Sequence, residues 1–137
     1  MTIVNTTLNL LAPGDIGTTT PSKVAAVTFL PGYTTTATAA GTTTLTVSSN
    51  QQQYFTGTST QTVVLPVTST LVLGQSYWVT NNSTGLVTVQ SSGANNIRVV
   101  APNSTLIVTC ILTSGTTIAS WSAEHVANIG GSLYVNN

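Results

Sequence analysis

Apolar and polar residues alternate with a period of two along most of the chain, and no helical face is sustained. In residues 86–90, for example, Leu86 and Thr88 fall on one side and Val87 and Val89 on the other. The pattern predicts short β-strands at residues 24–29, 42–47, 52–55, 62–65, 75–80, 86–90, 97–100, 105–113, 117–123 and 133–135. Residues 105–113 are the most continuously apolar, so we expect that strand at the centre of the core.

Turn residues separate these strands. Residues 81–85 read Asn-Asn-Ser-Thr-Gly, which predicts a turn that joins antiparallel strands. Turn signals every 8–12 residues or so between short strands are typical of sandwiches and barrels. We therefore predict an all-β fold, an antiparallel β-sandwich or jelly-roll-like barrel, over residues 23–137. Residues 1–22 are expected to form an extended N-terminal arm, and residues 32–49, which approach low complexity, to be partly extended or mobile.

Charge is scarce in this chain. Only 3% of residues are charged, whereas soluble domains usually carry about 25%. The hydrophobic fraction of 41% argues against disorder, and about a fifth of the residues are threonine, which suits a pleated surface. Charged side chains normally keep exposed strand edges from pairing, and a net charge near zero promotes association. We therefore expect the sheet edges and flat faces to be covered by sister subunits.

The four charged residues are Asp15, Lys23, Arg98 and Glu124. They are candidates for ion pairs across a subunit boundary that would fix its register, and isolated solvated charges are the alternative. Two basic residues cannot neutralise a run of phosphates, so nucleic-acid binding is not expected. No apolar run has the length of a membrane helix, so we expect no membrane insertion.

Catalytic chemistry has few candidates. A two-carboxylate site would have to use Asp15 and Glu124, which stand near opposite ends of the chain, and a turn-capping role suits Asp15 better. A metal site would need those two carboxylates together with His125 and Cys110. Cys110 lies in an apolar strand, where a thiol is an inert core filler. We therefore predict no enzymatic activity, no metal and no cofactor.

Aromatic residues are the one group that suggests a ligand. A sugar-stacking platform could draw on Tyr33, Tyr54, Tyr77, Trp78, Trp121 and Tyr134. Neighbouring residues on a strand point to opposite faces, so only one of Tyr77 and Trp78 can face the core. For Tyr77, Trp78 and Trp121 a place in the core or in a subunit interface is favoured over a sugar site.

Two stretches resemble bacteriophage tail-fibre and related virion proteins. Residues 16–22 read Ile-Gly-Thr-Thr-Thr-Pro-Ser and lead into Val-Thr-Phe at 27–29, which is similar to a segment of fibre shafts, although the continuation Leu-Pro at 30–31 departs from it. Residues 53–121 look like a small β module of phage structural proteins, with Phe-Thr-Gly-Thr at 55–58, Val-Val-Leu-Pro at 63–66 and Asn-Ser-Thr-Gly at 82–85.

This resemblance implies a homotrimer on the exterior surface of a virion. A capsid-decoration (cement) protein or a short fibre protein would fit, with capsid or tail subunits as partners. Residues 2–11 would be the natural strand to add to a neighbouring subunit. The alternative function is a carbohydrate-binding, receptor-recognition module that uses exposed Tyr and Trp side chains on host surface glycans.

Overall fold

The computed structural model describes residues 27–127. Nine β-strands form within this range, together with the short 3-10 helices Thr68–Thr70 and Ile118–Ser120. The strands are β1 (Tyr33–Ala37), β2 (Thr42–Thr44), β3 (Gln52–Thr56), β4 (Gln61–Val64), β5 (Ser76–Asn81), β6 (Val87–Gln90), β7 (Asn96–Val100), β8 (Ser104–Cys110) and β9 (Trp121–Ala127).

The strands form two sheets. The five-stranded sheet has the order β1-β3-β5-β8-β9, and the four-stranded sheet has the order β2-β4-β6-β7. Within residues 27–127 neither sheet closes on itself, so the fold is a β-sandwich and the jelly-roll-like barrel is not formed. The all-β prediction is confirmed.

The pairing is mixed. The three ladders β5–β8, β6–β7 and β8–β9 are antiparallel, as predicted. The four ladders β1–β3, β2–β4, β3–β5 and β4–β6 are parallel, so a purely antiparallel sandwich is wrong. Parallel neighbours need a crossover, and here each crossover is a strand of the opposite sheet. From β1 to β6 the chain thus winds between the sheets and adds one strand to each per turn.

The corners of this winding stack on one another. The backbone N–H of Asn82 donates to the carbonyl of Phe55 at 2.8 Å, and that of Thr84 donates to Gly57 at 3.0 Å. Residues 81–85 therefore carry the chain from one sheet to the other, and the predicted turn between paired antiparallel strands is wrong at this point. Gly85 allows the close approach, because a Cβ there would overlap the backbone of Ser59.

One apolar core lies between the sheets. On the four-stranded side it contains Val63, Val87, Val89 and Val100, and on the five-stranded side Phe55, Tyr77, Val79, Leu106, Val108, Cys110 and Trp121. Leu106 and Val108 of β8 are fully buried in the core, as expected, although β5 and not β8 is the middle strand of the sheet. β8 ends at Cys110, however, and buries only one of its faces, while Ile111 and Leu112 beyond it are half-exposed.

Several strand predictions agree with the structure to within a few residues, and some do not. Residues 33–37 form β1, a strand that the sequence pattern does not single out within the stretch at 32–49, which it predicts to be partly extended or mobile. Residues 27–29 form no strand, although a strand was predicted at 24–29. The predicted N-terminal arm, residues 1–22, and the predicted strand at 133–135 lie outside the described residues.

Candidate functional site

Tyr77, Trp78 and Trp121, the aromatic residues weighed as interface or sugar-site candidates, do not lie together. Tyr77 is 1% exposed and Trp121 is 6% exposed, and both belong to the core. Trp78 is 40% exposed on the outer face of the five-stranded sheet. The prediction that only one of Tyr77 and Trp78 faces the core is confirmed, and Trp78 is the one of the three that can meet a ligand.

Strand register brings further aromatic side chains onto the same outer face. Trp78 on β5 pairs with Gln52 on β3, which pairs with Tyr33 on β1. Residues that are partners in a ladder share a face of the sheet, and Tyr54 lies two positions beyond Gln52 on that face. The rings of Tyr33 and Tyr54 meet edge to face with their centroids 6.0 Å apart. Three aromatic residues thus stand on neighbouring strands.

A groove of about 420 Å³ opens on this face and is called the tyrosine groove below. Its lining comprises Leu30, Pro31, Tyr33, Thr35, Gln52, Tyr54, Thr56 and Asn82. The two tyrosine rings, the leucine and the proline form the apolar part of the wall, and the side-chain amides and threonine hydroxyls form the polar part. No lining residue carries a charge, so the groove has no electrostatic preference for an ion.

Hydrogen bonds fix the groove's central side chains. The Tyr54 hydroxyl donates to Gln52 Oε1 at 2.7 Å, which holds the phenol ring and the amide in one orientation. The Gln52 amide nitrogen then keeps its donors for another partner. Asn82 is exposed at the far end of the groove and offers both a donor and an acceptor.

Tyr33 is positioned through its backbone. The Asn50 side-chain nitrogen donates to the Tyr33 carbonyl at 3.0 Å and to Thr34 Oγ1 at 2.9 Å. Gly32 makes room for this contact, because a Cβ at Gly32 would overlap the Asn50 side chain. The edge strand β1 is thereby held against β3 at the point where Tyr33 enters the tyrosine groove.

A second cleft, of about 310 Å³, is different in character. Its wall is mainly aliphatic, with Leu45, Val47, Val64, Leu65, Pro66 and Val67. The hydroxyl of Ser92 is buried there and finds no partner within residues 27–127. The cleft therefore offers an incoming ligand far fewer polar groups than the tyrosine groove does.

The predicted interface charges are only partly described. Arg98 lies on β7 of the four-stranded sheet and Glu124 on β9 of the five-stranded sheet, and both side chains are exposed. Asp15 and Lys23 lie outside the described residues. Within residues 27–127 no three His, Cys, Asp or Glu side chains come together as metal ligands, and no helix is long and apolar enough to cross a membrane. The role of these charges at an interface stays a prediction.

Two ionisable side chains in the core have shifted pKa values. Burial raises the pKa of the Cys110 thiol above its ordinary 9.0, and a hydrogen bond with the backbone of Leu112 opposes the shift. Burial also raises the pKa of the Tyr77 phenol above 10.0, against a hydrogen bond from Gln75. Both groups are therefore held in their protonated forms, which agrees with the interpretation of Cys110 as an inert core filler.

Exposed aliphatic side chains gather at the end of the sandwich where β5 begins and β8 ends. We call this set the apolar end: Val72, Leu73, Ile111, Leu112 and Ile118. Backbone hydrogen bonds join its three segments, from Gly74 N–H to the Cys110 carbonyl at 2.9 Å and from Ile111 N–H to the Ser120 carbonyl at 2.9 Å. Exposed apolar patches of this kind mark interaction surfaces in many proteins.

Three comparisons with known proteins identified no relative of this chain. A scan against protein-family models found no match, and searches of curated proteins and of solved structures found none either. The resemblance to phage virion proteins therefore stays a prediction from the residues that carry it.

Proposed function

We propose that this chain is a non-enzymatic structural module of the exterior of a bacteriophage particle, where it forms a homotrimer. Its role would be that of a capsid-decoration (cement) protein or a short fibre protein that binds capsid or tail subunits. The observation that carries the proposal is the apolar end, five large aliphatic side chains exposed in a chain with only 3% charged residues.

Self-association follows from these two features together. Burying apolar area is favourable by about 25 cal/mol per Å², and a contact between copies would bury it. Charged side chains such as lysine and glutamate at exposed strand edges usually oppose such contacts, but charged residues are nearly missing from this sequence. The exposed β9 strand begins next to the apolar end, so an aliphatic surface and open backbone groups lie side by side.

The phage placement is supported by the resembling stretches at residues 16–22 and 53–121. The β-sandwich is compatible with that role, although a fold of this kind serves many functions. Immunogold labelling of intact particles would test the placement. Label on the outer surface is the expected result, and particles that carry the chain only inside, or not at all, would contradict it.

Light scattering after size exclusion tests the assembly directly. The full chain at micromolar concentration is expected at the mass of three 14.0 kDa subunits. Leu112→Asp should give monomers, because it places a charge in the apolar end. Leu86→Asp is the matched control, since Leu86 is exposed to the same degree (49% against 48%) at the opposite end of the sandwich. A stable wild-type monomer would refute the proposal.

A further inference from the structure

The tyrosine groove combines two kinds of surface that few ligands match at once. The rings of Tyr33 and Tyr54 present flat apolar area, and the edge-to-face geometry leaves them at 84° to each other. Aromatic faces of this kind bury the C–H groups of a ligand ring. A ligand that only stacked, however, would leave the neighbouring amides without partners.

The polar wall requires a ligand that both donates and accepts hydrogen bonds. The Gln52 amide is oriented by the Tyr54 hydroxyl, and Asn82 stands at the groove's far end. Each primary amide has two donor hydrogens and an acceptor oxygen. A hydroxyl group, which also donates and accepts, satisfies such an amide with either polarity, and a molecule bearing several hydroxyls can use both amides.

The absence of charged residues from the lining of the tyrosine groove limits the class of ligand further. None of the residues that line the tyrosine groove is ionisable except through its tyrosine hydroxyls, so a carboxylate, phosphate or ammonium group would be desolvated there without a counter-charge. The ligand class that joins apolar C–H faces with several hydroxyls and no charge is the neutral saccharide.

We propose that the tyrosine groove binds a neutral oligosaccharide, with Tyr33 and Tyr54 stacking on its sugar rings and Gln52 and Asn82 hydrogen-bonding its hydroxyls. The groove's volume of about 420 Å³ falls in the range of small-molecule sites, about 300–1,000 Å³. Asn50 acts as a positioning residue, because its two hydrogen bonds hold β1 and with it Tyr33. Trp78, beside Gln52 on the next strand, extends the platform for a longer ligand.

This site is independent of the assembly proposed above. The apolar end lies where β5 begins, whereas Asn82 follows the last residue of β5, so the two surfaces occupy opposite ends of that strand. Sugar binding and self-association can therefore fail separately. The monomer expected from Leu112→Asp should bind saccharide as well as the wild-type chain does.

Isothermal titration with matched probes tests the proposal. Chitotriose, which is neutral, is compared with its deacetylated cationic counterpart, and a neutral galactose trimer is compared with its anionic galacturonate counterpart. At least one neutral probe should bind, about tenfold or more tightly than its charged counterpart. Tyr33→Ala and Asn82→Ala should each weaken that binding by about tenfold, while Tyr33→Phe should retain more affinity than Tyr33→Ala.

Val99→Ala serves as the control, because Val99 is exposed on the four-stranded sheet, away from the tyrosine groove. Both Tyr33 and Asn82 are exposed, so their truncation leaves the core intact, and circular dichroism verifies the fold. The proposal is overturned if no neutral probe binds at millimolar concentration, or if Tyr33→Ala and Asn82→Ala bind like Val99→Ala. It is equally overturned if Tyr33→Ala changes the oligomeric mass but not sugar binding, since the groove would then be an interface between copies.

Discussion

Asn81 is the polar side chain on which the corner between β5 and β6 depends. It is fully buried, and its amide nitrogen donates to the carbonyls of Gly85 at 2.9 Å and Val100 at 2.8 Å. Its amide oxygen accepts from the Ser83 N–H at 2.9 Å and from the Ser83 hydroxyl at 2.6 Å. One side chain thus joins the end of β5, the corner and β7. Asn81→Ala removes all four bonds.

The loss of stability in Asn81→Ala follows from the buried polar groups that lose their hydrogen-bond partner. The Val100 carbonyl and the Ser83 N–H lose these Asn81 partners inside the protein, and each unsatisfied buried group costs about 1–3 kcal/mol. The Gly85 carbonyl keeps the Ser83 hydroxyl at 3.2 Å, so it adds less. We expect Asn81→Ala to lower the free energy of unfolding by about 4 kcal/mol. For a chain of this size that corresponds to a fall in Tm of about 10–15 °C.

Urea unfolding followed by circular dichroism measures this loss, which should appear as a lower midpoint with an unchanged slope. Asn82→Ala is the matched control: the next residue is also asparagine but its side chain is exposed, so the change should stay within about 0.5 kcal/mol. A loss of less than about 1 kcal/mol for Asn81→Ala, or one equal to that of Asn82→Ala, would refute the reasoning.

Two further predictions concern the packing and the core. Gly85→Ala should destabilise by about 1–3 kcal/mol, because the new methyl group meets the Ser59 backbone. Gly41→Ala should be neutral or slightly stabilising, because a methyl group there makes only an ordinary contact, 3.9 Å from Gln61 Nε2. Equal urea midpoints for the two variants would contradict this. Stability should also fall in alkali. Since burial raises the pKa of both Cys110 and Tyr77, the unfolded chain loses these protons first, and the urea midpoint should begin to drop as the pH passes 9.0. Tyr77→Phe should remove the part of the drop above pH 10.0, and a midpoint that stays flat to about pH 11 would count against the assignment.

The sequence predicts which residues form strands better than it predicts how they pair. Alternation of period two requires only that each strand bury one face, and a two-layer winding does so as well as an antiparallel sandwich does. The winding also has no fixed repeat that would reveal it. Tyr33 and its partner Gln52 stand 19 positions apart, whereas Gln52 and its partner Trp78 stand 26 positions apart.

The sequence predicts the candidate site only in part, because it does not show how the strands pair. Aromatic residues can be read from the sequence, but their neighbours in space depend on the register between strands. Residues 32–49 are rich in threonine and alanine and give a weak strand pattern, so Tyr33 could not be placed beside Tyr54. Gln52 and Asn82 carry no signal that distinguishes them from other amides in this chain. The parallel pairing of β1 with β3 places Tyr33 beside Gln52, and the parallel pairing of β3 with β5 places Asn82 at the end of the same groove.

Because the two sheets differ in width, the core-facing side of β9 is left uncovered, and a sister subunit could cover it. The five-stranded sheet has one strand more, and the core-facing positions Ala123 and His125 of β9 are exposed although they lie opposite the buried Val108 and Leu106. Nearby, the buried indole nitrogen of Trp121 has no acceptor within residues 27–127. A subunit packed here would cover apolar surface and could supply that acceptor. β9 and β1 are opposite edges of the sheet, so an assembly through β9 would leave the tyrosine groove open to a ligand.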